Sequence, residues 1–247
     1  MKINKNESIL IIAYKGMVGS AIFRALKRSG YTNISVIARD DVDLLSQYDV
    51  MSFFKKRGFD KVFICAAKVG GIYSNSQYPA DFIYQYIEIQ SNIINACHQN
   101  NVNNVIFLGS SCIYPKESKQ PIKEESLLTG SLEPTNQWYA IAKIAGIKIC
   151  ESFNIQHGRN YRCIMPTNLY GPNDNYHEKN SHVIPSLIRK FYFANKKNDK
   201  SVEIWGTGKP LREFLHVDDM ADASIFVSNV SKNDLDAVTR PDLSHIN

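Results

Sequence analysis

Short, uninterrupted apolar runs alternate along this chain with longer stretches in which apolar side chains recur every three or four positions. From Ile9 to Ala13 every residue is apolar, the mark of a strand covered on both faces. The run breaks at Tyr14-Lys15-Gly16-Met17-Val18-Gly19, and an amphipathic helix is predicted from there to about residue 29. A second strand, 34–37, runs into Ala38-Arg39-Asp40-Asp41. A helix over 47–57 leads to a third strand at 61–66, followed by the small-residue loop Ala67-Lys68-Val69-Gly70-Gly71-Ile72. One long helix is predicted over 79–100, with Phe82, Ile83, Tyr86, Ile87, Ile93, Ile94 and Cys97 near helical spacing, a face that belongs to the core or to a subunit interface. Strands at 104–108 and 161–165 flank a helix over 136–153. Such β/α alternation predicts an α/β fold: a doubly wound parallel sheet with right-handed crossovers.

Beyond Pro166-Thr167-Asn168-Leu169-Tyr170-Gly171-Pro172 the composition turns polar through residue 181, which marks a first lobe boundary. A helix over 182–197 and a short strand over 202–205 follow. Arg212-Glu213-Phe214 then leads into His216-Val217-Asp218-Asp219, with Asp218 expected as the N-cap of a helix through 228. The division implied is 1–167, with 211–231 returning to it, as the main domain, and 168–210 plus 232–247 as a smaller C-terminal lobe.

Composition narrows the function. The chain has 247 residues, 44% of them hydrophobic, enough for one large α/β unit and incompatible with wholesale disorder. Its net charge of +5 is scattered, so no nucleic-acid footprint is expected, while a small anionic ligand suits it. Five cysteines in no metal-binding spacing, an odd number, argue for no metal site, no disulfide framework and a reducing compartment. The first apolar run is too short for a signal-peptide core, and no run approaches the ~18 residues of a membrane span, so a cytoplasmic, membrane-free protein is expected.

The chemistry is carried by Tyr139 and Lys143, four residues apart in one predicted helix and therefore on one face. A lysine beside a tyrosine lowers the cost of the phenolate, so the pair reads as acid/base machinery. Gly109-Ser110-Ser111-Cys112 ends the apolar run 105–108, where ligands bind in open α/β sheets. Gly16 and Gly19 hold the second and third places of a GxxGxxG turn, with Ala13 in the first, and this turn opens a helix whose N-terminus suits pyrophosphate. Arg39 arrives about 20 residues later, where an NAD-preferring fold carries an acidic residue. With Lys15 it points to the 2′-phosphate of NADP.

Together these residues resemble the extended short-chain dehydrogenase/reductase family, with the Rossmann fold. The resemblance runs over nearly the whole chain, through 15–22, 66–71, 78–84, 108–116, 132–136, 139–148, 165–172, 180–185 and 212–220. It implies an NADPH-dependent enzyme that epimerises C3 and C5 and reduces C4 of GDP-4-keto-6-deoxy-D-mannose, with Tyr139, Lys143, Ser110, Cys112 and His182 catalytic. Cys112 and His182 match the family's base and acid for the carbon centres. By the same matching, Ala13, Lys15, Gly16, Met17, Val18, Gly19, Arg39, Leu44, Leu108, Gly109, Ser111, Lys143, Pro166, Asn168, Leu169 and His182 bind the cofactor. Asn168, Lys190, Trp205 and Arg212 contact the GDP-linked 4-keto sugar, with Lys190 standing where arginine is common. The family's usual state is a homodimer using helices 79–100 and 136–153. Relatives of this kind continue past the position of Asn247, so the substrate lobe is expected to be incomplete. Two further readings stand beside this one: a C4 reductase of another GDP-4-keto sugar such as a heptose, and an idle, truncated nucleotide-binding remnant.

Overall fold

The computed structural model of the chain describes residues 3–38, 40–66, 77–178, 180–204, 206–240 and 244–247. Arg39, the loop 67–72, Trp205 and Leu243 lie outside the described residues.

Six parallel strands form the main sheet in the order β2-β1-β3-β4-β5-β8, where β1 is Ile9–Ile12, β2 Ile34–Ile37, β3 Lys61–Ile64, β4 Asn104–Leu108, β5 Asn160–Ile164 and β8 His245–Ile246. Ile9 stands opposite Ile34 on one side and Lys61 on the other, and Cys163 opposite His245 at the far edge. The order in which successive strands are added reverses between β1 and β3, the switch point at which open α/β sheets bind ligands.

Side chains alternate across β1 as strand geometry requires. Leu10 and Ile12 enter a core with α2 (Gln47–Lys55), α3 (Pro79–Gln99) and α4 (Gln137–His157), whereas Ile9 and Ile11 enter a second core with α1 (Met17–Arg28) and α6 (Val217–Asn229). α4 runs one turn longer than its apolar pattern suggests and stops where Gly158 adopts φ 63°, a left-handed C-cap. α4 packs closely on α3 and β4 because Gly146 has no side chain: a Cβ there would lie 2.6 Å from Gln90 Oε1 of α3 and 2.5 Å from the Phe107 ring of β4. α6 lies along α1, with Val217, Met220, Ala221 and Ile225 in the shared core, and is fastened by Arg24–Asp218 and Arg28–Asp222 pairs at 2.6 Å. No helix among the described residues is long and apolar enough to cross a membrane.

Three expectations need correction. Residues 202–204 form no strand; among the described residues they pair with none, and a β-prone segment without a partner gains no ladder. Asp218 does not cap α6. Val217, fully buried, is already helical, so the preceding residue His216 is the cap and its Nδ1 accepts the Asp218 N–H at 3.3 Å. Finally, β6 (Asn168–Tyr170) and β7 (Phe214–His216) pair in a separate two-stranded parallel sheet, where the sequence reads as loop. The remaining helices are α5 (Val183–Lys197) and the short α7 (Lys232–Asp236).

Candidate active site

At the C-terminal end of β4 the backbone enters a 3-10 turn over Ser111–Ile113, with Ser110 as its N-cap. The Ser110 hydroxyl accepts the Cys112 N–H at 3.5 Å and lies close enough to the Cys112 thiol and the Tyr139 phenol to favour the charged form of each. Tyr139 reaches this point from the first turn of α4, its ring held edge-on against Tyr86 of α3 at 5.1 Å between centroids. One turn further on, Lys143 is only 3% exposed; its Nζ donates to the Leu108 carbonyl at 2.7 Å and lies 5.0 Å from the Phe107 ring centre.

Electrostatics follow from this burial. Desolvation pushes Lys143 down to about 8, while the thiols of Cys112, Cys65 and Cys163 pull the other way. The Tyr139 phenol is raised, first by burial and then by Cys112, with Ser110 offsetting part of the rise. This corrects the expectation of a lysine-stabilised phenolate: Lys143 is turned to the Leu108 carbonyl, and Tyr139 is held as the protonated acid. Burial raises the Cys112 thiol too, opposed by Ser110, Lys143 and Asn136. Asn136, which precedes α4, escaped the sequence reading because an N-terminal asparagine carries no signal beyond capping.

The nucleotide turn precedes α1. Gly16 is the N-cap and offers no side-chain cap to the first-turn N–H groups of Met17, Val18 and Gly19, which a helix cannot pair internally. No acidic residue stands in that turn, Lys15 is exposed, and the space above Gly16 is open, its added Cβ meeting only the Ala13 oxygen at 3.5 Å. An unclaimed set of N–H donors with the positive end of a helix behind it fits a dinucleotide pyrophosphate. Ala13 adopts φ 64°, the conformation for which glycine is the natural residue.

The other expected residues lie around these two centres. Gly109 donates its N–H to Ile164 at 2.9 Å, and Ser111 donates to Pro166 at 3.2 Å. Leu108 ends β4, Leu169 packs on the α1 side of the sheet, and Leu44 packs on the opposite side, its carbonyl accepting from Asn92 at 3.1 Å. Asn168 and Thr167 both donate to the Glu213 carbonyl at 3.0 Å, which brings Asn168 beside the segment carrying Arg212. Arg212 is exposed, and the Lys190 ammonium donates to the Glu203 carbonyl at 3.0 Å. His182 is the exposed N-cap of α5, and no hydrogen bond joins it to the Ser110–Tyr139 cluster.

A glycine-turn nucleotide cradle and a Ser-Tyr-Lys cluster at the ends of parallel strands define a nucleotide-dependent oxidoreductase, and the chain belongs to the NAD dependent epimerase/dehydratase family, whose sequence pattern matches residues 9–237. Within that family its relatives include the GDP-L-fucose synthase of Escherichia coli, 56% identical over 98% of this chain and 75% of that protein. Among solved structures, a GDP-D-glycero-L-gluco-heptose synthase from Campylobacter jejuni, in the presence of NADPH, superposes with a TM-score of 0.93 at 36% identity, covering 100% of this chain and 81% of that one. A GDP-mannoheptose C4 reductase from Campylobacter jejuni with NADP bound gives 0.88 at 36% identity, with the same coverage.

Proposed function

We propose that the chain converts GDP-4-keto-6-deoxy-D-mannose to GDP-L-fucose by 3,5-epimerisation and 4-reduction. The observation that carries this is the convergence of Ser110, Cys112, Tyr139 and Lys143 at the end of β4, supported by the 56% identity to a GDP-L-fucose synthase.

In this reading the backbone of Gly16, Met17, Val18 and Gly19 would hold the NADP(H) pyrophosphate, Lys15 and Arg39 the 2′-phosphate, and Ala13, Leu44, Leu108, Gly109, Ser111, Lys143, Pro166, Asn168, Leu169 and His182 the remainder. Bound NADPH supplies the hydride for C4. A ketone at C4 acidifies the hydrogens at C3 and C5, so inversion there needs a base and an acid on opposite faces. Cys112 is the base; burial raises its thiol, and Ser110 first and then the Lys143 cation draw it back toward the thiolate that the reaction needs. His182 is the acid. Ser110, Tyr139 and Lys143 stabilise the negative charge that develops on the C4 oxygen, and Tyr139, kept protonated by burial, donates its proton there during reduction.

Asn168, Lys190, Trp205 and Arg212 contact the GDP-sugar, Arg212 as the diphosphate or sugar clamp. Residues 1–167 and 211–231 act as the cofactor domain and 168–210 as part of the substrate lobe; of 232–247, expected in that lobe, residues 245–246 instead extend the main sheet beside β5. The enzyme is a cytoplasmic homodimer, consistent with five free cysteines and with exposed Tyr78, Tyr84, Trp138 and Ile141 beside and along α3 and α4.

Incubating GDP-4-keto-6-deoxy-D-mannose in D₂O, with and without NADPH, tests the reading by NMR of the ring hydrogens. Tyr139→Phe is expected to lower reduction about 10²–10⁴-fold. Cys112→Ser is expected to stop exchange at C3 and C5 while hydride transfer to the unepimerised ketone remains detectable. Exchange at the parental rate in Cys112→Ser would make that thiol structural. It would favour a second reading, a C4 reductase of another GDP-4-keto sugar, which the likeness to the two heptose enzymes also supports.

A further inference from the structure

The 3-10 turn that carries Cys112 is gripped at both ends, and the grip at its far end uses groups that the mechanism above leaves idle. Its near end is tied to the end of β5: the Gly109 N–H donates to the Ile164 carbonyl at 2.9 Å and the Ser111 N–H to the Pro166 carbonyl at 3.2 Å. Within the turn itself the Ile113 N–H donates to the Ser110 carbonyl at 3.2 Å and the Tyr114 N–H to the Ser111 carbonyl at 3.4 Å. A three-residue 3-10 turn has poor hydrogen-bond geometry and takes its exact course from what holds its ends.

Tyr114, the C-cap of the turn and two residues after Cys112, is that far grip. It is 4% exposed, and its phenol reaches β8 at the edge of the main sheet, donating to Asn247 Oδ1 and lying 3.1 Å from Nε2 of the buried His245. A phenol has one hydrogen, so with that hydrogen on Asn247 the His245 Nε2–H is the donor of the second bond. The Asn247 amide is oriented in turn. Its Nδ2 donates to the Ile122 carbonyl at 3.0 Å, which leaves Oδ1 for Tyr114, and its backbone N–H donates to Glu124 Oε1 at 3.1 Å. β8 is fastened behind this contact: the Met165 N–H donates to the Ile246 carbonyl at 2.8 Å, and the Ser244 N–H to Glu151 Oε1 of α4 at 3.3 Å, while the other Glu151 oxygen pairs with Lys148 at 2.6 Å.

Packing alone does not call for this hydroxyl. Ile113 is fully buried and seats the turn on the core, and a phenylalanine at 114 would fill the same apolar space; what the two phenol bonds add is direction, fixing where the end of the turn sits against the sheet. A base works only within hydrogen-bond reach of the proton it takes, so the thiol depends on that direction, whereas Tyr139 and Lys143 are carried by α4 and do not. We propose that Tyr114 is the positioning residue of Cys112, holding the turn, with His245 and Asn247 as its anchors, at the place from which the thiol reaches the sugar ring. This rests on the role given to Cys112 above.

The experiment reads the thiol and the chemistry separately in the full chain: alkylation of Cys112 by iodoacetamide, located by mass spectrometry with the half-buried Cys65 as internal control, and solvent exchange at C3 and C5 of GDP-4-keto-6-deoxy-D-mannose. Tyr114→Phe is expected to speed Cys112 alkylation and slow exchange, each roughly three- to tenfold, the scale of one lost hydrogen bond, with Cys65 and the KM for the sugar nucleotide unchanged. Asn247→Ala, at an exposed position, removes the phenol's acceptor without touching the core and should act in the same direction. His245→Gln, which keeps a donor toward the phenol, should stay closer to the parent than His245→Leu. In a Cys112→Ser background, adding Tyr114→Phe should leave hydride transfer to the unepimerised ketone as it was. Cys112 alkylation at the parental rate in folded Tyr114→Phe, or in Asn247→Ala should Tyr114→Phe not fold, overturns the proposal. So does a further loss of hydride transfer in the Cys112→Ser background, which would make Tyr114 a support of the whole site. If alkylation moves as expected while Cys112→Ser exchanges C3 and C5 at the parental rate, Tyr114 still positions the thiol, and it is the assignment of Cys112 as the base that falls.

Discussion

Gly19 and Ala13 are packed so closely that a Cβ on Gly19 would lie 2.5 Å from the Ala13 carbonyl oxygen and 2.7 Å from the Tyr14 Cα, both of them backbone atoms that cannot swing aside. Gly16, three residues earlier, has its nearest such neighbour at 3.5 Å. The two glycines of the turn therefore do different work. Gly19 lets α1 press against the end of β1, whereas Gly16 keeps clear the surface that a phosphate approaches. Gly19→Ala is expected to destabilise the fold by about 1–3 kcal/mol. Gly16→Ala is expected to leave the melting temperature nearly unchanged and weaken NADPH binding. Thermal unfolding and cofactor titration of the two variants, side by side, check the distinction.

Ala13 itself sits at φ 64°, where an L-residue is strained by about 1 kcal/mol and glycine is not. Ala13→Gly should raise stability by up to about 1 kcal/mol, or roughly 2–4 °C in Tm for a chain of this size, the added freedom of the unfolded chain offsetting part of the gain. A lower Tm would show that the alanine methyl makes contacts worth more than the strain.

Lys143 gives a pH dependence with a definite sign. Its folded value of about 8 lies below its ordinary 10.5, so between those values the unfolded chain holds more protons than the folded one, and stability rises with pH. Below about 8 the buried ammonium burdens the folded state in full. Lys143→Met should therefore be more stable than the parent at neutral pH, on the order of 1–3 kcal/mol, with the difference shrinking above pH 8. Activity should move the other way, falling in the parent as pH rises through about 8 and the cation beside Tyr139 is lost. Paired Tm and rate profiles of the two proteins test both halves.

Arg39 and Lys15 are the residues proposed to hold the 2′-phosphate. A charge-assisted contact to phosphate contributes roughly 1.5–3 kcal/mol, so Arg39→Ala should weaken NADPH binding about tenfold or more and change NADH binding little. Equal losses for both cofactors in a titration would remove Arg39 from the 2′-phosphate site.

The sheet was legible in the chain because its strands are buried on both faces. β4 falls on 104–108 as the apolar run predicts, whereas β8 pairs with β5 although the sequence assigned 232–247 to the smaller lobe. Legibility failed where tertiary partners decide. The β6–β7 pair joins segments 46 residues apart, Asn168 to Phe214, and neither is apolar enough to announce a strand. His216 outranked Asp218 as a cap because Val217 had to be buried. In the site, the spacing of Tyr139 and Lys143 was readable, but the turn of Lys143 toward the Leu108 carbonyl was not, since that partner lies 35 residues away on another element.

The same β6–β7 pair has a consequence for how such enzymes diversify. Residues 171–213 leave the body of the protein after β6 and rejoin it at β7, where two short parallel strands and the paired Thr167 and Asn168 bonds to the Glu213 carbonyl close them off like a clasp, with a further tie from Asn173 to Ser20 of α1. The stretch bearing His182, Lys190 and Arg212 is thus a cassette closed at the β6–β7 pair. Splicing a relative's segment between Tyr170 and Phe214 would exchange the residues proposed to face the sugar, His182 among them, while sparing the glycine turn and the Tyr139–Lys143 pair, so a change of substrate leaves the reduction chemistry beneath it in place.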